Sequence, residues 1–309
     1  MPIFAYLSRR LVQALFVIVA VSLLVALAIR QTGDPAVMML SQSSAINQED
    51  IENIRQALGL NQPFLAQYTQ FMGGLLSGEM GNSFFRGAIA PLMLEAMKAS
   101  GILAILSLSF SLMLSLPLGI YAAVHRGSWG DQAVRVFSLI GLSFPNFWLG
   151  IMLMLCFSVW LGWLPPSGFE GWQSALLPAI TIGLILTASN VRLVRSAMLE
   201  TLSKQHIMVA RAKGLSENSV IYKHALRNSA ITIITYLGLQ FGSLLGGMVI
   251  VEMVFNWPGM GTLAIEAIAQ RDYPILQTVI TVSAMAIVVV NLLVDVAYVL
   301  LDPRIRLAN

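Results

Sequence analysis

Apolar residues gather into long runs separated by shorter polar stretches. Six runs, at about 11–29, 99–124, 134–163, 176–194, 230–254 and 275–301, approach or exceed the ~20 residues with which an α-helix crosses a ~30 Å hydrocarbon core. They predict six membrane spans. The second is expected to be interrupted at Pro117, because proline removes a helix donor and crowds the preceding turn. The third holds Pro145 and is longer than a straight crossing requires, so it is expected to tilt, kink or break around Ser143–Asn146. The first is too long for a typical signal-peptide core and no small-x-small cleavage pattern follows closely, so it reads as a retained span.

Residues 30–98 are the most polar part. A helical period covers Asn47–Leu58, with Ile51, Ile54 and Leu58 on one side and Gly59 as its stop. A second surface helix is expected over Pro63–Leu76, followed by turns from Gly78 to Gly87. The chain thus divides into 1–98, one span with a long polar segment, and 99–309, a five-span core.

Composition agrees with the pattern. Hydrophobic residues make up 57% and charged residues 11%, far below the roughly 25% charged content of a soluble domain. Charge then orients the spans. Thirteen of the 18 Lys and Arg lie on one side, namely Arg9, Arg10, Arg126, Arg135, Arg192, Arg195, Lys204, Arg211, Lys213, Lys223, Arg227, Arg304 and Arg306. The other side holds Arg30, Arg55, Arg86, Lys98 and Arg271. The basic excess marks the cytoplasmic face, so both termini are expected inside and 30–98 outside. Trp163 and Trp172 bracket the second outer loop, as interfacial anchors do.

Little in the chain suggests catalysis. A single cysteine, Cys156, offers neither a disulfide nor a thiolate cluster. The three histidines (His125, His206, His224) read as loop residues near the cytoplasmic face, and the 16 methionines as scattered apolar packing. There is no G-x-x-x-x-G-K-[ST] and no H-E-x-x-H, so any use of ATP belongs to another chain, and no bound metal or nucleic-acid partner is expected.

The loop between the fourth and fifth spans, about 197–229, is basic and water-exposed in pattern. Gln205–Lys213 reads as one short helix and Glu217–Leu226 as another, with Ser216 as cap and Gly214 as the bend between them. Two short helices at an angle form a lever for a partner to grip. Val209, Ala212, Leu215 and Val220 are expected to seat in the partner's groove, with Arg211, Lys213 and Lys223 at its rim.

Polar groups in apolar runs are the other candidates. Asp295, with Asn291 one turn before it, is too costly to face lipid, so it is expected to bond between spans or to line a water-filled path. Gln240 and Ser243 are candidates for a central path. Gly238, Gly242, Gly246 and Gly247 form a small-residue face, expected to meet a partner chain or to pack within this one. Glu252–Gly261 reads as a tight outer element with a Pro258-Gly259 turn, and a short helix through Gln270 starts at Gly261-Thr262. Glu252, Pro258, Gly259 and Gly261 are therefore placed at the outer face, where a transport protein of this kind would carry its outer gate. Asp272 is expected to cap the last span.

The stretches ARAKGLSENSVIYKHALRN (Ala210–Asn228) and VEMVFNWPGMG (Val251–Gly261) resemble permease subunits of bacterial binding-protein-dependent ABC importers, in the dipeptide/oligopeptide/nickel branch. The resemblance extends over essentially the whole chain: YLSRRL at Tyr6–Leu11, GDP at Gly33–Pro35, LGL at Leu58–Leu60, Leu142–Trp148, RDYP at Arg271–Pro274 and DPRIR at Asp302–Arg306. Against the family's E-A-A, x3, G, x9, I-x-L-P loop, the chain has Met208, Val209 and Ala210, then Gly214, then His224, Leu226 and Arg227. Only the last alanine, the glycine and the leucine agree. The resemblance implies a type I importer permease fold in the bacterial inner membrane. It also implies a second permease, two ATPase subunits carrying ATP and Mg, and an extracytoplasmic binding protein. Coupling to the ATPases then falls on Val209–Leu215 with Val220 and His224.

The resulting expectation is a non-catalytic transport subunit, for di- and oligopeptides, with nickel complexes or glutathione as the alternative substrates. An ion-coupled transporter would call for paired mid-membrane carboxylates and an inverted repeat, and a channel or scaffold would lack the lever.

Overall fold

The computed structural model describes residues 3–31, 37, 48–57 and 61–301. The GDP, LGL and DPRIR pieces, with Gly59, Arg304 and Arg306, lie outside them. The architecture is all-α apart from one hairpin. Helix α1 (Ile3–Gln31) is followed by α2 (Gln48–Ala57) and α3 (Phe64–Ser77), which stops at Gly78 with φ +84°. Strands β1 (Asn82–Ser83) and β2 (Gly87–Ala88) pair antiparallel and lead into α4 (Ile89–Val124). Next come α5 (Trp129–Ser143), α6 (Asn146–Met154) with a wide π turn over Leu155–Trp160, α7 (Leu176–Leu202) and α8 (Gln205–Ala212). A π-helical stretch over Ser219–Leu226 runs into α9 (Arg227–Gly247), and α10 (Val249–Val254), α11 (Met260–Gln270) and α12 (Tyr273–Leu301) complete the described chain.

Five helices among the described residues are long and apolar enough to span a membrane, and the pair α5–α6, bent by 98°, makes a sixth if it counts as one crossing. Packing says that it does. Ala99 and Leu103 near the start of α4 cluster with Leu177 and Ala179 near the start of α7. Ile120 and Ala123 near its end cluster with Val194 and Met198. The two helices therefore run parallel, and the chain between them must return across the bilayer. The bent pair makes that return along α7: Asp131 meets Arg195, Gly141 abuts Ala188 and Gly150 abuts Thr181. The break falls where the sequence places it. Phe144, constrained by Pro145, is extended (φ −86°, ψ 133°), and Pro145 opens α6.

Pro117 does not interrupt its helix. Helix α4 continues through it for a total of 36 residues, as membrane helices with close neighbours allow. The fifth span also differs from expectation. Residues 217–247 form one uninterrupted helix, so the second lever arm and the span are a single element. The helix then breaks at Met248, before the separate α10.

Three of the four glycines pack against another helix of this chain. A Cβ on Gly238 would meet Val294, one on Gly242 Asn291, and one on Gly246 Ile287, so these glycines let α9 and α12 approach closely. Gly246 remains exposed beside that contact. Arg10 Nε lies 3.2 Å from the Asp295 carboxylate, joining the start of α1 to the end of α12.

Candidate functional site

The loop between α7 and α9 is a defined elbow. Helix α8 ends as Lys213 N and Gly214 N bond back to the Val209 and Arg211 carbonyls at 3.0 and 2.9 Å. Gly214 has φ +76°, a left-handed conformation that costs an L-residue about 1–2 kcal/mol. The Ser216 carbonyl accepts Val220 N at 3.0 Å, opening the next helix. Arg211 closes the elbow across Gly214 with two bonds to the Glu217 carboxylate, at 2.8 and 3.2 Å. Asn228 bridges the His224 carbonyl (2.7 Å) and the His206 ring (3.3 Å), tying α8 to the following helix.

Burial divides the predicted coupling residues in two. Met208, Val209 and Leu215 are 57%, 46% and 41% exposed, and Arg211, Ala212 and Lys213 also face out. Ala210 and Val220 are buried with Ile207 among residues of α4, α7 and α9. Val220 is thus not available to a partner's groove: it anchors the elbow to the bundle. His224 is half-buried.

Midway through the bundle, Asn190 of α7 donates to Ser111 of α4 (2.8 Å) and to Gln240 of α9 (3.0 Å). Asn190 therefore ties three helices together, with Gln240 as its partner on α9. Ser243 bonds to the Gln240 carbonyl of its own helix at 2.8 Å and is exposed. Asn291 packs on Gly242, and Asp295 is the ion-pair partner of Arg10, the interspan bond among the two roles expected of it.

At the outer end, Glu252 is buried on α10 and accepts from Ser100 Oγ of α4 (2.6 Å) and from Gly261 N and Thr262 N of α11 (2.8 and 3.2 Å). Ser100 in turn accepts Met260 N at 2.8 Å, and Trp257 Nε1 donates to the Ala99 carbonyl at 3.0 Å. Gly259 and Gly261 are required by this close packing, since a Cβ at either would lie within 2.7 Å of the Glu252 carboxylate. Glu252 lies past Gly246, where the fifth crossing ends. Burial pushes its carboxyl above the ordinary value, while the Ser100 hydroxyl and the two N–H groups pull the other way. Asp272 caps α12 through Ile275 N at 3.4 Å, as expected, and also binds Ser83 Oγ and Phe84 N, which anchors the hairpin.

One buried cluster has no signal in the sequence. Asp131 at the start of α5 accepts from Arg195 Nε and Nη2 on α7 at 2.7 and 2.9 Å, from Gly127 N at 3.0 Å and from Arg135 at 3.4 Å. Its main partner, Arg195, is 64 positions away, and the local Asp131–Arg135 spacing gives no hint of it. Among the described residues, no group of three or more His, Cys, Asp or Glu is placed to hold a metal ion.

Residues 115–307 match the family model of the binding-protein-dependent transport system inner membrane component, and residues 3–117 match that of its N-terminal part. The chain belongs to this family. It is a permease subunit of a binding-protein-dependent ABC importer, a multi-pass inner-membrane protein and not an enzyme. It is 38% identical over 303 residues to the glutathione transport system permease protein GsiC of Escherichia coli strain K12, covering 97% of this chain and 98% of that one. The same-named protein of Salmonella choleraesuis is 37% identical over the same shares. An inward-facing structure of the MetNI methionine ABC transporter superposes with a TM-score of 0.58 at 19% identity, covering 68% of this chain and 96% of its own, which shows the shared permease fold.

Proposed function

We propose that this permease forms half of the translocation path of an importer for glutathione and closely similar short peptides. The observation that carries the substrate is the 38% identity, along 97% of the chain, to a permease of a glutathione transport system. It favours glutathione, one of the alternative substrates read from the sequence, over the main di- and oligopeptide expectation. In this reading a second, similar permease supplies the other half of the path. Two ATPase subunits hold ATP and Mg, an extracytoplasmic binding protein delivers the substrate, and this chain itself holds no cofactor. Residues 1–98 supply one span and the outer segment, and residues 99–309 supply the five-span core.

Coupling rests on the elbow. ATPase closure pulls on the exposed Val209–Leu215 edge, and the buried Ala210 and Val220 pass that force to α7 and α9. The Glu252 staple, with Pro258, Gly259 and Gly261, forms part of the outer gate, and Gln240 holds the middle of the bundle as the two ends move. Only contacts that differ between the inward- and outward-open states can drive the exchange. The surfaces that change partners are therefore the ones to test.

The experiment is uptake of radiolabelled glutathione by cells that lack their own glutathione importers and express the whole transporter. ATP-dependent uptake, abolished when 205–226 is shortened, is expected. Uptake of a nickel chelate without glutathione uptake would overturn the substrate.

A further inference from the structure

Between the outer ends of α1 and α12, helix α3 and the hairpin lies a cleft of about 1180 Å³. Nothing in the coupling scheme uses it. Its volume exceeds the ~300–1,000 Å³ of ordinary small-ligand sites, leaving room for a tripeptide with some of its water. Three charged side chains line it among the described residues: Arg30, Arg55 and Glu79. Arg55 is already paired, with Glu52 at 3.5 Å. Arg30 and Glu79 are exposed and meet no oppositely charged side chain among the described residues. The Arg30 guanidinium instead lies 4.7 Å from the centre of the Phe64 ring, which holds the fork in place without neutralising it.

Two charges of opposite sign thus line one cleft without an ion pair between them among the described residues. That arrangement suits a ligand with a carboxylate at one end and an ammonium at the other. Arginine binds a carboxylate through two parallel bonds, and the amides of Gln70 and Gln277 on the same walls offer donors and acceptors to a peptide backbone. We propose that this outer cleft binds a short zwitterionic peptide beside the translocation path, carboxylate on Arg30 and ammonium on Glu79. The proposal rests on the short-peptide reading of the transported substrate and adds a holding site at the outer mouth of the permease.

The test is equilibrium dialysis of radiolabelled glutathione against the assembled transporter in lipid nanodiscs, with the binding protein omitted. Saturable binding is expected, weakened about tenfold by Arg30→Gln and likewise by Glu79→Gln, the loss typical of one charge-assisted contact. Blocking the glutathione carboxylates as a diester should weaken binding to the wild type but make no further difference to Arg30→Gln. N-acetylation should behave in the same way towards Glu79→Gln. Both side chains are exposed, and complex recovery on size-exclusion chromatography reports folding separately. No saturable binding, or binding indifferent to both substitutions, would overturn the cleft. Uptake assayed in parallel separates the two ideas: uptake without cleft binding removes the cleft alone, and cleft binding without uptake removes the substrate reading alone.

Discussion

Glu252 is the residue on which the outer end of the core depends. It accepts from three donors on two other elements, and truncation leaves them facing a hole. Glu252→Ala is expected to cost on the order of 3 kcal/mol, the sum of buried donors left unpaired, read as a lower melting temperature of the purified complex. Glu252→Gln keeps one acceptor oxygen and should cost less. The pH dependence has a definite sign. Burial raises this carboxyl above 4.5 in the folded protein, so its contribution is present below that pH and is lost as pH rises through the folded value. Between pH 5 and pH 8, the stability of wild type relative to Glu252→Gln should therefore fall. A constant difference would show that the three donors outweigh burial.

Among the elements, the elbow separates surface from support. Val209 and Val220 are both valines of one loop, yet one is 46% exposed and the other fully buried. Val209→Asp should leave the amount of permease in the membrane unchanged and reduce co-purification of the ATPase. Val220→Asp should reduce the permease itself, because it buries a charge in an apolar cluster. Equal effects on both readouts would remove the distinction. The bend at Gly214 and the short helix before it were legible, since glycine at the end of a short helical pattern has few other uses, whereas the second arm's fusion with the fifth span was not. Which valine faces outward was not: helical periodicity shows that a face exists, and only the packing of α4, α7 and α9 decides which one is covered. The glycines of α9 illustrate the same limit. Their spacing announced a close helix contact, and the neighbour turned out to be α12.

For the molecule as a whole, six crossings were legible because hydrocarbon thickness imposes a length on each apolar run, and the basic residues imposed a direction. The break at Pro145 was legible too, though not its size, because proline limits the residue before it without setting the angle between the two halves. Parallel packing of α4 and α7 makes the bent pair a complete crossing, and labelling can check it. In a Cys156→Ser background, Gln173→Cys should react with an impermeant maleimide from outside, and Arg126→Cys only after permeabilisation. The same accessibility at both positions would make α5–α6 a re-entrant loop.

The unbroken run from Glu217 to Gly247 has a mechanical consequence. Thirty-one residues at 1.5 Å each make a rod of roughly 45 Å, one end beside the Gly214 bend and the other beside the Glu252 staple. In the proposed coupling, swinging such a rod by about 10° around its inner tip would carry the far tip some 8 Å, the breadth of an extended peptide, so that a modest tug below would open a doorway above.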